Sequence, residues 1–152
     1  MSRHHRVSAL CVLATALLAA PALGAQKPPP ARDLPVQALP VDQAAEVAGI
    51  PVACTGMGET RQDPKWAAYP VRVELSNARA EYLTDAQIVL TDAKGKPLLK
   101  VSCTAPWILL KPMAGSYAVY GQLLESRARP RSAPFKVPAK GQIRVVLEFP
   151  DV

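Results

Sequence analysis

AQIVLTDAKGKPLLKVSCTAPWILLKPMAGSYAVYG, residues 86–121, decides the fold. Ile88 and Leu90 alternate with Gln87 and Thr91, Asp92-Ala93-Lys94-Gly95 supplies a turn, and Leu99, Val101 and Cys103 alternate on the return. Gly115 opens a further run in which Tyr117 and Val119 alternate with Ser116 and Ala118. A period of two with one apolar face is the mark of half-buried strands. These residues predict paired strands of a β-sandwich, with Ile88, Leu90 and Tyr117 in its core.

The flanking sequence extends the pattern. Val71, Val73 and Leu75 alternate with Arg72, Glu74 and Ser76, which predicts a strand with one wet face; Ala78 to Ala80 turns the chain, and Tyr82-Leu83 starts a short strand. Pro106 breaks the ladder after Cys103, and the apolar run resumes at Trp107, read as a core plug near that cysteine. ESRARPRSAPFKVPAK, residues 125–140, combines Arg127, Arg129, Arg131 and Lys136 with prolines and reads as an edge strand and loops, since charge and proline blunt a sheet edge. Ile143, Val145 and Leu147 supply a final core strand, followed by Phe149.

Before the first of these strands the pattern is weaker. GIPVACTGMGETRQDPKWAAYP, residues 49–70, is the least regular part. Asp42 is placed to cap a short helix over Gln43 to Val47, stopped by Gly49 and Pro51. Asp63-Pro64 is a second helix start, for one or two turns over Pro64 to Tyr69. Trp66 and Tyr69 on that helix either pack on the sandwich edge, the reading favoured by the area such rings bury, or stand out as an aromatic sugar-binding platform. Gly56-Met57-Gly58-Glu59 lacks the Lys-Ser/Thr pair and the spacing of a phosphate cradle and reads as a turn. Trp66, Tyr69, Gly56, Gly58 and Glu59 together form the candidate binding surface.

Residues 1–25 carry Arg3 and Arg6 before the apolar run Val7 to Leu23, with small residues at Ala22-Leu23-Gly24-Ala25; this is the pattern of a cleaved signal peptide. Pro21 cuts the run below the roughly 20 residues a spanning helix needs, so no membrane span is expected after cleavage. Residues 26–48 follow as a proline- and alanine-rich linker, with Pro28, Pro29, Pro30, Pro35 and Pro40 favouring extended backbone. The domain proper is read over 49–152, in the periplasm or outside the cell.

Cleavage changes the chemistry that is left. Of 18 basic residues Arg3 and Arg6 depart, and all 12 acidic ones remain, so the mature charge is 16 minus 12, or +4. That is too small for a nucleic-acid interface without interleaved aromatics. His4 and His5, the only histidines, depart too, as does Cys11. Cys54 and Cys103 remain as an even pair in an oxidising compartment, which predicts a disulfide closing a loop of about 50 residues and contributing on the order of 4 kcal/mol. No metal site and no cofactor is expected, because two distant cysteines without a histidine do not make a tetrahedral site.

The run Ile88-x-Leu90-x-Asp92-x-x-Gly95, the start Gly115-Ser116-Tyr117-Ala118-Val119 and Lys140-Gly141 before the last strand resemble carboxypeptidase regulatory-like domains, which are prealbumin-like (transthyretin-like) sandwiches. The Gly-x-Gly before the first strand and Pro106-Trp107 resemble small exported bacterial proteins of this type. Pro112 stands where such domains usually carry leucine. The resemblance, over about Ile50 to Pro150, implies an all-β, prealbumin-like antiparallel β-sandwich of about seven strands with one or two short helices. It implies no enzyme. Hydroxyisourate hydrolases of this fold use histidines and a C-terminal Tyr-Arg-Gly-Ser, absent here; the isopeptide-bonded adhesin modules need an asparagine on the last strand, and the only asparagine is Asn77.

Two functions follow as expectations. The first is a non-catalytic accessory or binding module contacting an envelope protein or glycan. The alternative is a small hydrolase or enzyme inhibitor using carboxylates such as Glu59, Asp63 and Glu81, which would have to stand about 5 to 9.5 Å apart to cut a glycosidic bond.

Overall fold

A computed structural model describes residues 34–152. The expected signal peptide and the first part of the linker lie outside the described residues. Ten strands run in chain order: β1 (Gln37–Ala38), β2 (Ala44–Val47), β3 (Ile50–Thr55), β4 (Val71–Ser76), β5 (Ala86–Asp92), β6 (Pro97–Cys103), β7 (Trp107–Leu110), β8 (Ser116–Leu123), β9 (Arg131–Lys136) and β10 (Ile143–Glu148). Two 3-10 helices, Gly58–Gln62 and Pro64–Ala68, lie between β3 and β4. The strands form two five-stranded sheets, ordered β1-β6-β5-β8-β9 and β10-β4-β7-β3-β2.

The inward residues of both sheets meet in one core. Ile88, Leu90, Leu99, Val101 and Val119 from the first sheet pack with Val52, Val73, Leu75, Ile108 and Leu147 from the second. The alternation read from residues 86–121 therefore points the way expected, with Tyr117 half-buried at the core's end and stacked on Phe135 at 5.8 Å. At Gly121 the layers approach closely: a Cβ there would stand 2.6 Å from a Leu147 methyl. Cys54 on β3 and Cys103 on β6 are bonded across the layers, with Cα atoms 5.6 Å apart, so the predicted disulfide joins one sheet to the other.

The turn at Asp92 forms as read. Its Oδ1 accepts hydrogen bonds from the amides of Lys94 and Lys96, both at 2.9 Å, and Gly95 takes the positive φ of +80° that a glycine allows. The Asp63-Pro64 start holds too, with Asp63 capping the second helix by accepting from the Lys65 amide at 3.0 Å. At the opposite end, β9 is an edge strand with exposed Pro134 and Lys136, and Asp151 lies 3.6 Å from both Arg129 and Arg131.

Five expectations are corrected. The sheets are mixed, because β1 runs parallel to β6 and β10 parallel to β4. Among the described residues there are ten strands against about seven expected. The additions are β1, β2 and β3; β3 is buried on both faces and so shows no alternation. Residues 43–47 are not a helix: Asp42 has φ +60°, outside the extended region an N-cap uses, and Ala48-Gly49, both at positive φ, close a two-residue hairpin that returns β2 onto β3. The stretch expected as linker thus places Gln37–Ala38 and Ala44–Val47 in the sheets. The face of β4 expected to be wet is not, since Glu74 is 1% and Ser76 6% exposed.

The reason for that last difference is a second layer of cover. The two 3-10 helices lie on the outer face of the β10-β4-β7-β3-β2 sheet, where Trp66 and Tyr69 close over Ala53 and Leu109 in a small separate core. No helix among the described residues is long and apolar enough to cross a membrane.

Candidate functional site

The outer face of the second sheet is laid out in rungs by register. Leu109 of β7 sits between Arg72 of β4 and Ala53 of β3; one rung along, Trp107 sits between Glu74 and Thr55. On β10, Arg144 is level with Arg72. The 3-10 helices cover the Leu109 rung. The Trp107 rung is covered by the side chains of Arg61, from the first 3-10 helix, and Tyr82, from the loop after β4.

Trp107 is 6% exposed, but it lies on this outer face and outside the core between the layers, because Ile108 and Leu110 take the inward positions of β7. The core-plug expectation is corrected accordingly. Its ring is enclosed by cations and aromatics: the Arg72 guanidinium lies 4.4 Å from the ring centroid and that of Arg61 5.7 Å, while Tyr82 meets it edge-on at 6.1 Å. Such contacts are worth about 0.5–2 kcal/mol each, most where water is excluded. On one side the neighbour is backbone. Gly56, at φ +106°, lies so near that a Cβ would stand 2.6 Å from the indole Cγ.

Beneath this stack Glu74 is shared by two arginines. Arg144 donates from Nε to Glu74 Oε2, and Arg72 Nε lies 2.8 Å from Oε1. The two contacts differ. Arg72 pairs with the carboxylate as a charge, but its N–H makes no hydrogen bond. The hydrogen bond to Glu74, and then its charge, hold the Arg144 guanidinium proton more tightly than usual.

A cleft of about 220 Å³ opens between the helices and this rung, lined by Arg61, Asp63, Trp66, Arg72, Trp107 and Gln142 among others. Gln142 braces the cover by donating from Nε2 to the carbonyls of Trp66 at 3.0 Å and Tyr69 at 2.8 Å. Trp66 Nε1 donates to the Thr60 carbonyl at 2.8 Å. The indole N–H of Trp107, by contrast, is buried and has no acceptor.

The candidate binding residues are brought together in part. Trp66, 4% exposed, lines the cleft, and Gly56 backs Trp107. Trp66 packs on the sheet's face and forms no exposed platform. Tyr69 is buried beneath, which raises its phenol pKa, with Lys65 acting weakly against that. Gly58 and Glu59 are exposed on the first 3-10 helix and do not line the cleft.

The carboxylates do not converge there either. Asp63 lines the cleft but is held by Lys65, whose amide and side chain lower its pKa. Glu81 pairs with Arg79 at 3.0 Å and accepts from Asn77 at 2.6 Å, within its own loop.

Arg61, Arg72, Glu74, Tyr82 and Arg144 were not singled out from sequence. The signal was there in one respect: Arg72-x-Glu74 and Arg144 carry charge on strands otherwise rich in valine and leucine. What hid it is the parallel pairing of β10 with β4 across 70 residues of chain, which no local pattern announces. The sequence matches no protein-family model and no curated protein.

Proposed function

We propose that this protein is a non-catalytic, exported accessory module of the bacterial cell envelope that binds a partner through the outer face around Trp107. The observation that carries this reading is the unpaired indole N–H of Trp107, buried beside a cleft open to solvent. Buried donors are nearly always paired, and one left without an acceptor costs about 1–3 kcal/mol. A ligand that brings an acceptor recovers that cost on binding.

Export is supported by the Cys54–Cys103 bond, which belongs to oxidising compartments, and by the signal pattern of residues 1–25. The prealbumin-like arrangement and the accessory role are what the resemblance to carboxypeptidase regulatory-like domains implies, and two β layers around one core agree with it. The hydrolase alternative lacks support, since Glu59 lies outside the cleft and Asp63 is committed to Lys65.

The test is photo-cross-linking in intact cells, with the reactive side chain at Tyr82 beside Trp107 or at Gln122 on the outer face of the other sheet. A discrete envelope protein or glycan adduct from position 82 alone is expected. Adducts from position 122 alone, or from neither, overturn the reading.

A further inference from the structure

We propose that the cleft beside Trp107 is a site for a carboxylate monoanion on a compact apolar stem, held by Arg61, Arg72 and the Trp107 indole N–H. This rests on the reading of that face as the binding face and adds the chemistry of what it takes.

The groups that line the cleft near Trp107 and are not already satisfied are donors. The indole N–H of Trp107 is buried without an acceptor, and Arg72, whose Nε is already paired with Glu74 at 2.8 Å, adds its charge beside it. Arg61 pairs with no carboxylate among the described residues; its exposed side chain lies over the rings of Tyr82 at 5.5 Å and Trp107 at 5.7 Å. A ligand that satisfies an indole N–H and guanidinium N–H groups together must be an acceptor, and an anion is the acceptor that guanidinium groups hold most strongly.

Charge selects among anions. Lys65 neutralises Asp63, and Glu74 offsets one of the two arginines that share it, so of the cations lining the cleft Arg61 alone has no carboxylate beside it. One guanidinium without a carboxylate is paired by a single carboxylate group. A phosphate dianion is better matched by a nest of backbone amides or a cluster of cations, and the cleft is lined by neither. A planar carboxylate also fits the fork of an arginine in two parallel hydrogen bonds.

Shape sets the stem. Pro64, Trp66, Ala67 and Leu109 give the cleft an apolar wall facing the arginines. Its 220 Å³ corresponds to about seven water molecules at ~30 Å³ each, room for a carboxylate and one small ring or branched chain. The carboxylate is either that of a free organic acid or the C-terminus of a chain ending in an apolar residue.

The experiment follows the two indole N–H signals of the purified protein by NMR, assigned with Trp107→Phe, during titration with benzoate, benzamide and inorganic phosphate. Benzoate moves the Trp107 signal saturably and further than the Trp66 signal, whose N–H is already bonded to Thr60; benzamide and phosphate do not move the Trp107 signal. Arg61→Gln, on the exposed helix, weakens benzoate about tenfold, the loss of one charged hydrogen bond. A dipeptide ending in phenylalanine, compared with its amide, assigns the source: binding tighter than benzoate and lost on amidation marks a chain end, and binding no tighter marks a free acid.

Equal response to benzamide overturns the anion, equal response to phosphate overturns the carboxylate, and an Arg61→Gln protein that binds benzoate as well as the parent overturns the site. If position 82 cross-links a partner while benzoate leaves the indole unmoved, this inference falls and the binding face stands. If neither occurs, both fall.

Discussion

On one outer face of the molecule Glu74, Thr55 and Trp107 share a rung and are shut away from water; on the other, Gln122, Ser132 and Lys136 stand in it. Both faces come from strands whose inward residues build the same core, so the pattern that makes the core does not decide what happens behind it. The difference is cover. Two 3-10 helices and the Tyr82 loop lie over one sheet, and among the described residues no helix lies over the other. Covering a sheet's polar side forces its charges into pairs, as with Glu74 between Arg72 and Arg144, and leaves a mismatch where a donor is trapped, as at Trp107.

The largest perturbation removes what holds the two faces together. Replacing both Cys54 and Cys103 with alanine is expected to cost about 4 kcal/mol, given a separation of 49 residues, read from chemical denaturation of the oxidised parent and the variant. Glu74→Gln comes next, at about 3 kcal/mol. That is the low end for breaking a buried pair, because both arginines reach solvent and can rehydrate. On the other sheet Thr91 is also buried but uncharged, and Thr91→Val removes a hydroxyl whose contact with the Ala118 carbonyl is long at 3.4 Å; it is expected to cost less than about 1 kcal/mol. Equal losses at 74 and 91 would break the comparison.

Gly56→Ala sharpens it, since the new methyl must displace the indole and take a φ that L residues avoid; about 2 kcal/mol is expected, with a change in the Trp107 fluorescence. The smallest effect is at Asp63. Its carboxyl pKa lies below its ordinary value in the folded protein, so its contribution is complete above that ordinary value and is lost as pH falls through the folded one. Asp63→Asn should therefore lower the unfolding midpoint slightly at neutral pH and flatten the acid limb of its plot against pH, so that variant and parent converge below about pH 4.

How far the sequence could be read follows the same division. Ile88, Leu90, Leu99 and Val101 were legible because each belongs to an amphipathic strand whose period is local. So was the cysteine pair, once its number and compartment were set. The helix expected over 43–47 failed because a five-residue helix cannot stabilise itself, and the backbone bonds that β3 offers win. Trp107 was legible as buried but not as to side: in WILL, residues 107–110, every residue is apolar, so no alternation says which face each one takes. The cleft was the least legible feature, since Arg61 comes from the first 3-10 helix, Arg72 from β4 and Gln142 from the segment before β10.

The bond between Cys54 and Cys103 also changes what a cut means. The exposed loop that carries Arg61 and Lys65 lies between the two cysteines. A protease that nicks it leaves two chains still tied through the middle of the molecule, each holding part of both layers. In surroundings where hydrolytic enzymes are plentiful, a molecule wired this way can be severed between its two cysteines and still keep its pieces together, a break that a reducing gel reveals.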